Sequence, residues 1–322
     1  MSIKKIFDYQ IDEKLELFVL IKSANVRIAK NGKKFIAFVL ADASGEISAK
    51  FWDATDDEIA RFQPGKVALI KGKREVYQGN PQIKLFHVRL AAEDEPQDPR
   101  LFVKRAPLKA EQMADEINQV VFAITNPDWN RIVRFLLKKF QKQFFTYPAA
   151  KKNHHAFAGG LAYHSLSMLR LAQAVAKQYP IINAPLLYAG VILHDMGKTL
   201  ELSGAVATSY TVTGNLIGHI VLIDEQIVLA CHELKIDENK ENVVLLRHLI
   251  LSHHGLLEYG SPVRPHLLEA EVLHQIDQLD ASIQMLSGVL EHTAPGEFSE
   301  KIFGMDGRNF YRPEIADFST KN

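Results

Sequence analysis

Residues 186–198 read Leu186-Leu187-Tyr188-Ala189-Gly190-Val191-Ile192-Leu193-His194-Asp195-Met196-Gly197-Lys198. Eight apolar or small residues in a row predict a buried segment, and they fall within a helical pattern that runs over 184–196, with Pro185 near its start. A histidine and an aspartate follow with no spacer. Burying an imidazole beside a carboxylate is costly unless something satisfies both, and a divalent cation does so. The pair therefore predicts a metal centre at the end of a core helix.

Other candidate ligands lie on flanking helical patterns. His164 comes early in one, after Gly159-Gly160-Leu161, and Gly218-His219 opens another. Ser252-His253-His254-Gly255 ends a third, and Asp277 and Asp280 share one face of a fourth at i and i+3, Asp280 reading as a support behind a ligand or a solvated residue rather than as a ligand itself. One ion needs three or four such groups, and this set suffices for two. Mixed imidazole and carboxylate donors suit manganese, iron, cobalt, nickel or zinc, and the carboxylates leave magnesium open; manganese is the expected ion. His232, His248, His266, His274 and His292 read instead as surface or satisfied core residues, and His154 and His155 as pocket lining or a lead-in to a helix.

The helical patterns run over 109–124, 128–144, 160–178, 184–196, 216–234, 241–253 and 267–291. Upstream the pattern changes. Leu15–Ile21, Phe35–Leu40, Ile47–Trp52, Val67–Tyr77 and Ile83–Leu90 predict five strands, with Asn31-Gly32 and Gly79-Asn80-Pro81 as turns. Thr55 is placed to cap a short helix between the third and fourth. That order predicts an OB-fold barrel, which binds single strands by stacking bases on aromatics while cations follow the phosphates. Lys33, Lys34, Lys50, Trp52, Lys73 and Arg74 are the candidate strand-binding residues, Trp52 being expected to face outward and Phe51 inward. The expected organisation is a nucleic-acid-binding barrel at 1–92, a proline-containing linker at 93–108 and a helical catalytic domain at 109–322, an α+β multidomain chain.

Net charge is zero, but residues 1–92 hold 16 Lys and Arg against 11 Asp and Glu, and the remainder 22 against 27. A basic front and an acidic back suit a strand-binding module joined to a cation-binding one. No apolar run reaches the roughly 20 residues that span a bilayer, so no membrane association is expected. The single cysteine, Cys231, excludes an intrachain disulfide and fits a cytoplasmic setting.

The ordered set His164, His194-Asp195, Asp277 resembles the HD superfamily of metal-dependent phosphohydrolases. With His219 and His253-His254 it is similar to the binuclear branch. Combined with the barrel, the chain resembles the YhaM-type 3′→5′ exoribonucleases. Tyr210-Thr211 with Gly214, and Glu258-Tyr259-Gly260-Ser261-Pro262 after the double histidine, extend the likeness. It implies an all-helical domain in which His164, His194, Asp195, His219, His253, His254 and Asp277 hold two cations that act on single-stranded RNA, with single-stranded DNA a further partner. Asp195 is the ligand suited to bridging, and Lys198 is placed to reach a phosphate oxygen. Two other readings stay open at this point. A cyclic-dinucleotide phosphodiesterase should carry Gly-Tyr-Pro after the double histidine, from which Tyr259-Gly260-Ser261-Pro262 departs. The other is a non-catalytic single-stranded DNA-binding protein. Homo-oligomerisation is compatible with all three.

Overall fold

The computed structural model describes residues 4–77, 80–151 and 155–315. These form two compact units, Met1–Arg105 with Ala205–Thr208, and Ala106–Gly204 with Ser209–Asn322.

In the first unit, β1 (Lys14–Ile28), β2 (Lys34–Asp42), β3 (Gly45–Trp52), β4 (Val67–Tyr77) and β5 (Asn80–Leu90) close a barrel in the order β1-β2-β3-β5-β4. The β3–β5 pair is parallel and the other pairs are antiparallel. Alternation along β2 sends Ile36, Phe38 and Leu40 inward, where they meet Val19, Ile70 and Ile83. Helix α1 (Asp56–Arg61) begins at Thr55, whose side chain and that of Glu58 each accept the other residue's backbone N–H. Five strands with one helix between the third and fourth make this an OB-fold. Of the expected turn at Gly79-Asn80-Pro81, Gly79 lies outside the described residues, and Asn80 and Pro81 already belong to β5. Pro99–Phe102, within the expected linker, forms a 3₁₀ turn.

The second unit is helical: α2 (Ala110–Phe122), α3 (Pro127–Lys139), α4 (Gln141–Thr146), α5 (Gly160–Gln178), α6 (Ala184–Leu193), α7 (Lys198–Glu201), α8 (Val212–Ile217), α9 (His219–Leu234), α10 (Glu241–Ser252) and α11 (Leu268–Leu290). Helix α6 is apolar all round and every residue from Leu186 to Leu193 is buried, so it forms the centre of the bundle. Helices α5, α10 and α11 pack around it.

Three expected helices are interrupted. The 128–144 pattern breaks at Phe140, where the chain turns so that Phe140 and Phe144 both reach the core. The 184–196 pattern ends at Leu193. The 216–234 pattern is split at Gly218, whose φ of 81° a residue with a side chain rarely adopts. The last two breaks shape the site. Among the described residues, no helix is long and apolar enough to cross a membrane.

Candidate metal centre

On a continuous helix, adjacent side chains diverge by about 100°. At His194 and Asp195 α6 gives way to turns: His194 N–H still donates to the Gly190 carbonyl at 2.8 Å, whereas Lys198 N–H donates to the Asp195 carbonyl at 2.9 Å. The two side chains nevertheless reach one centre, with His194 Nε2 3.4 Å from Asp195 Oδ2. Gly197 permits α9 to approach, since a Cβ there would lie 2.1 Å from the His219 carbonyl oxygen.

The two oxygens of Asp195 face different groups. Oδ2 lies 3.4 Å from His194 Nε2, 3.7 Å from His164 Nε2 and 2.6 Å from Lys198 Nζ. Oδ1 lies 3.4 Å from His219 Nε2 and 3.9 Å from His253 Nε2. Asp277 joins the first side, its Oδ1 3.1 Å from His164 Nε2. His254 joins the second, where the ligand atoms of His219, His253 and His254 lie within 4.8 Å of one another. All seven candidate ligands from α5, α6, α9, α10 and α11 thus converge, divided by one carboxylate.

Each imidazole is oriented through Nδ1. His164 Nδ1 meets Asp280 Oδ2 at 2.7 Å, and His219 Nδ1 meets Glu201 Oε1 at 3.1 Å. His194, His253 and His254 use the carbonyls of Val191, Ile250 and Tyr259 at 2.8, 2.7 and 2.6 Å. Donation from Nδ1 leaves the Nε2 lone pair directed at the centre. Nε2 of His194, His219 and His253 is buried without a hydrogen-bond partner in the protein. Such buried orphans are rare, and a cation is the group that would satisfy several at once.

The electrostatics agree with cation binding. Burial, together with the neighbouring His254 and His194, pushes His253 well below the usual imidazole range, and burial also lowers His254. Both are therefore neutral, the ligating form. Burial would raise Asp195, but Lys198 and His194 outweigh it and hold the carboxyl well below the ordinary range. Asp277 is likewise lowered, its hydrogen bond to His164 overcoming burial. His164 is opposed by burial yet raised to about 9 by its hydrogen bonds with Asp277 and Asp280.

Three further residues support the centre: Asp280 and His155, both singled out in the sequence, and Glu201, which sequence reasoning missed. Glu201 accepts from both the backbone N–H and Nδ1 of His219 at 3.1 Å. Asp280, 3 % exposed, accepts from His164, from His155 Nε2 at 2.7 Å and from the Ser167 hydroxyl. His155 is buried against it, whereas its sequence neighbour His154 lies outside the described residues. The i, i+3 relation of Asp280 to Asp277 and the position of His155 just before α5 hint at two of these roles, and nothing in the sequence points to Glu201. Of the histidines read as bystanders, His232 is exposed, His248 Nε2 accepts the His266 backbone N–H, and His274 Nδ1 meets the His253 carbonyl at 2.9 Å.

On the barrel, Trp52 is 55 % exposed and rests against Phe35 with ring centroids 4.7 Å apart, while Phe51 packs edge-on to Phe62. Lys50 Nζ sits 5.8 Å from the Trp52 ring and 5.0 Å from that of Tyr77. Lys33, Lys34 and Lys73 form ion pairs with Asp53, Asp56 and Asp12. These surface pairs are weak and leave the cations available to an incoming phosphate. Arg74 differs from the sequence expectation: Nη1 donates to the Tyr9 carbonyl at 2.6 Å and the guanidinium lies over Phe7, so it is committed to the barrel itself.

Comparison with known proteins matches residues 161–282 to the HD domain and residues 19–91 to an OB-fold nucleic acid binding domain. A third family description, of a helicase, matches residues 102–185. Proteins named 3′-5′ exoribonuclease YhaM are similar along nearly the full length. That of Listeria welshimeri serovar 6b is 49 % identical over 310 residues, covering 96 % of this chain and 98 % of the relative. Those of Listeria innocua serovar 6a and Listeria monocytogenes serotype 4b are 48 % identical over the same shares. At that identity over almost all of both chains, this protein belongs to the YhaM family of 3′-5′ exoribonucleases.

Proposed function

We propose that the chain is a cytoplasmic, metal-dependent exonuclease that shortens single-stranded RNA from its 3′ end, with single-stranded DNA as a second substrate. The observation that carries this reading is the division of imidazole donors between the two oxygens of Asp195. His164, His194 and Asp277 would hold one divalent ion with Asp195, and His219, His253 and His254 the other. Manganese is the ion taken first, as one that accepts carboxylate and imidazole together, and buried neutral imidazoles disfavour the all-oxygen shell that magnesium prefers. When bound, two such ions activate water at neutral pH and stabilise charge on the phosphoryl and leaving oxygens.

The chain's own groups divide the remaining work. Asp280 and Glu201 fix the rings of His164 and His219. Lys198 is held as an ammonium, since Asp195 outweighs the burial that would deprotonate it. It also lines the cavity over the centre, where it can neutralise a non-bridging phosphate oxygen. Lys33, Lys34, Lys50, Lys73 and Trp52 are the barrel groups that would engage the strand. The names of the relatives weigh against a cyclic-dinucleotide phosphodiesterase, as does the use of Tyr259 and Ser261 to hold His254 where that class should have Gly-Tyr-Pro. An intact donor set weighs against a merely binding role.

The test is digestion of 5′-labelled and 3′-labelled single strands, RNA and DNA, across a series of divalent ions. The reading expects a descending ladder from the 5′ label, early release of the 3′ label, and no reaction in chelator. Internal cleavage, or early release of the 5′ label, would overturn it.

A further inference from the structure

A cavity of about 640 Å³ opens over the metal centre, within the roughly 300–1,000 Å³ of small-molecule sites. Its inner side is formed by Lys198, His219, His254 and Asp277, and its outer side includes Tyr210 and Tyr259, which are 43 % and 58 % exposed. Exposed aromatics are common on protein surfaces, but these two are tied by their backbones to residues that orient the centre. Tyr210 pairs with Leu202 in an isolated β-bridge, and the next residue, Thr211, donates its N–H to the carbonyl of Glu201 at 2.9 Å. Glu201 in turn holds His219. The Tyr259 carbonyl accepts His254 Nδ1 at 2.6 Å, and Ser261 Oγ accepts the His254 N–H at 3.1 Å.

Both residues are therefore anchored through their backbones beside His219 and His254, on the Oδ1 side of Asp195. Lys151 Nζ lies 5.6 Å from the centroid of the Tyr210 ring and lines the same cavity, placing a cation beside the aromatic wall. Two exposed aromatic rings that line one cavity with the ammonium groups of Lys151 and Lys198 match a nucleobase attached to a phosphate. Stacking on Tyr suits every base, because each has a π-face, and unstacked RNA ends are bound in this manner.

We propose that Tyr210 and Tyr259 form the subsite for the base of the strand's terminal nucleotide, with Lys151 beside its phosphate. This rests on the exonuclease reading and adds to it the group that seats the strand end at the centre. The subsite is base-tolerant and needs one unpaired terminal nucleotide.

The test uses the full-length protein loaded with manganese and a short RNA ending in 2-aminopurine, its last linkage a phosphonate that cannot be hydrolysed. Stacking quenches this base, so fluorescence should fall several-fold at saturating wild-type protein. Tyr210→Phe and Tyr259→Phe should keep the quench, whereas the Tyr210→Ala/Tyr259→Ala double variant should lose most of it while retaining its manganese. Unquenched terminal base on bound wild-type protein overturns the subsite, and so does full quenching by the double alanine variant. Because no turnover is involved, these results stand apart from failure of the hydrolytic reading, which the end-labelled digestion reports.

Discussion

Asp280→Ala removes the acceptor shared by His155 Nε2 and His164 Nδ1, each 2.7 Å from Oδ2. Both rings are buried, so water cannot take the place of the carboxylate. Losing the acceptor of a buried donor costs about 1–3 kcal/mol, so two donors give about 2–6 kcal/mol. That is a large share of the roughly 5–15 kcal/mol that holds a typical domain. Asp280→Asn behaves differently. Its amide oxygen can occupy the Oδ2 position and serve both rings, and the Ser167 hydroxyl can turn to accept from the amide nitrogen. It loses the charge but keeps the acceptor, and its destabilisation should stay below about 2 kcal/mol. Urea midpoints of the chelated proteins, taken above about pH 9 where His164 is neutral, measure this difference. Manganese titration by calorimetry measures the consequence for the centre, where removing the group behind a ligating imidazole typically costs about 10–100-fold in affinity. An alanine variant with the wild-type midpoint and affinity would refute the orienting role. Equal damage in the asparagine variant would mean that the charge, rather than the acceptor geometry, matters.

Lys198→Ala should lower kcat by about 10²-fold with near-normal metal content, as expected on losing one group that stabilises transition-state charge; unchanged kcat would reduce Lys198 to a partner of Asp195. Gly197→Ala places a Cβ 2.1 Å from the His219 carbonyl, so it should displace His219 and lower the metal stoichiometry, and a fully loaded variant in elemental analysis would count against that close approach. At pH 7 the raised pKa of about 9 keeps His164 protonated in the metal-free protein. Ion binding should then release about one proton, seen by calorimetry in buffers of different ionisation heat. Since the folded value lies above the unfolded one, His164's contribution to metal-free stability is full below about 6.5 and lost as pH rises through about 9; a urea midpoint flat over that window would contradict it. Lys50→Ala/Trp52→Ala should weaken binding of long strands, stacking alone being worth about 1–3 kcal/mol per base. It should also make the salt dependence shallower by roughly 0.7 for the lost charge, and an unchanged salt slope would remove Lys50 from the strand path.

Strand alternation, the Thr55 cap and the apolar run of α6 were legible in the sequence because they are local. The candidate ligand set was legible for another reason: seven histidines and aspartates come in an order that resembles a known family's, even though His164 and Asp277 are more than a hundred residues apart. The residues behind them were not. Glu201 meets His219 across 18 positions and Asp280 meets His155 across 125, and no periodicity encodes such pairings. The breaks at Leu193 and Gly218 were also hidden, because helical spacing of apolar residues continues through both. Arg74 read as a surface cation because its pattern resembles that of Lys73, and only the fold brings Tyr9 and Phe7 against it.

The most direct measurement is the number of divalent ions per chain, counted by native mass spectrometry after chelation and refilling with manganese. The division of donors by Asp195 predicts two ions in the wild-type protein and one in the His253→Ala/His254→Ala double variant, which leaves the second group only His219 and Asp195. A saturated wild-type chain holding a single ion would contradict the account.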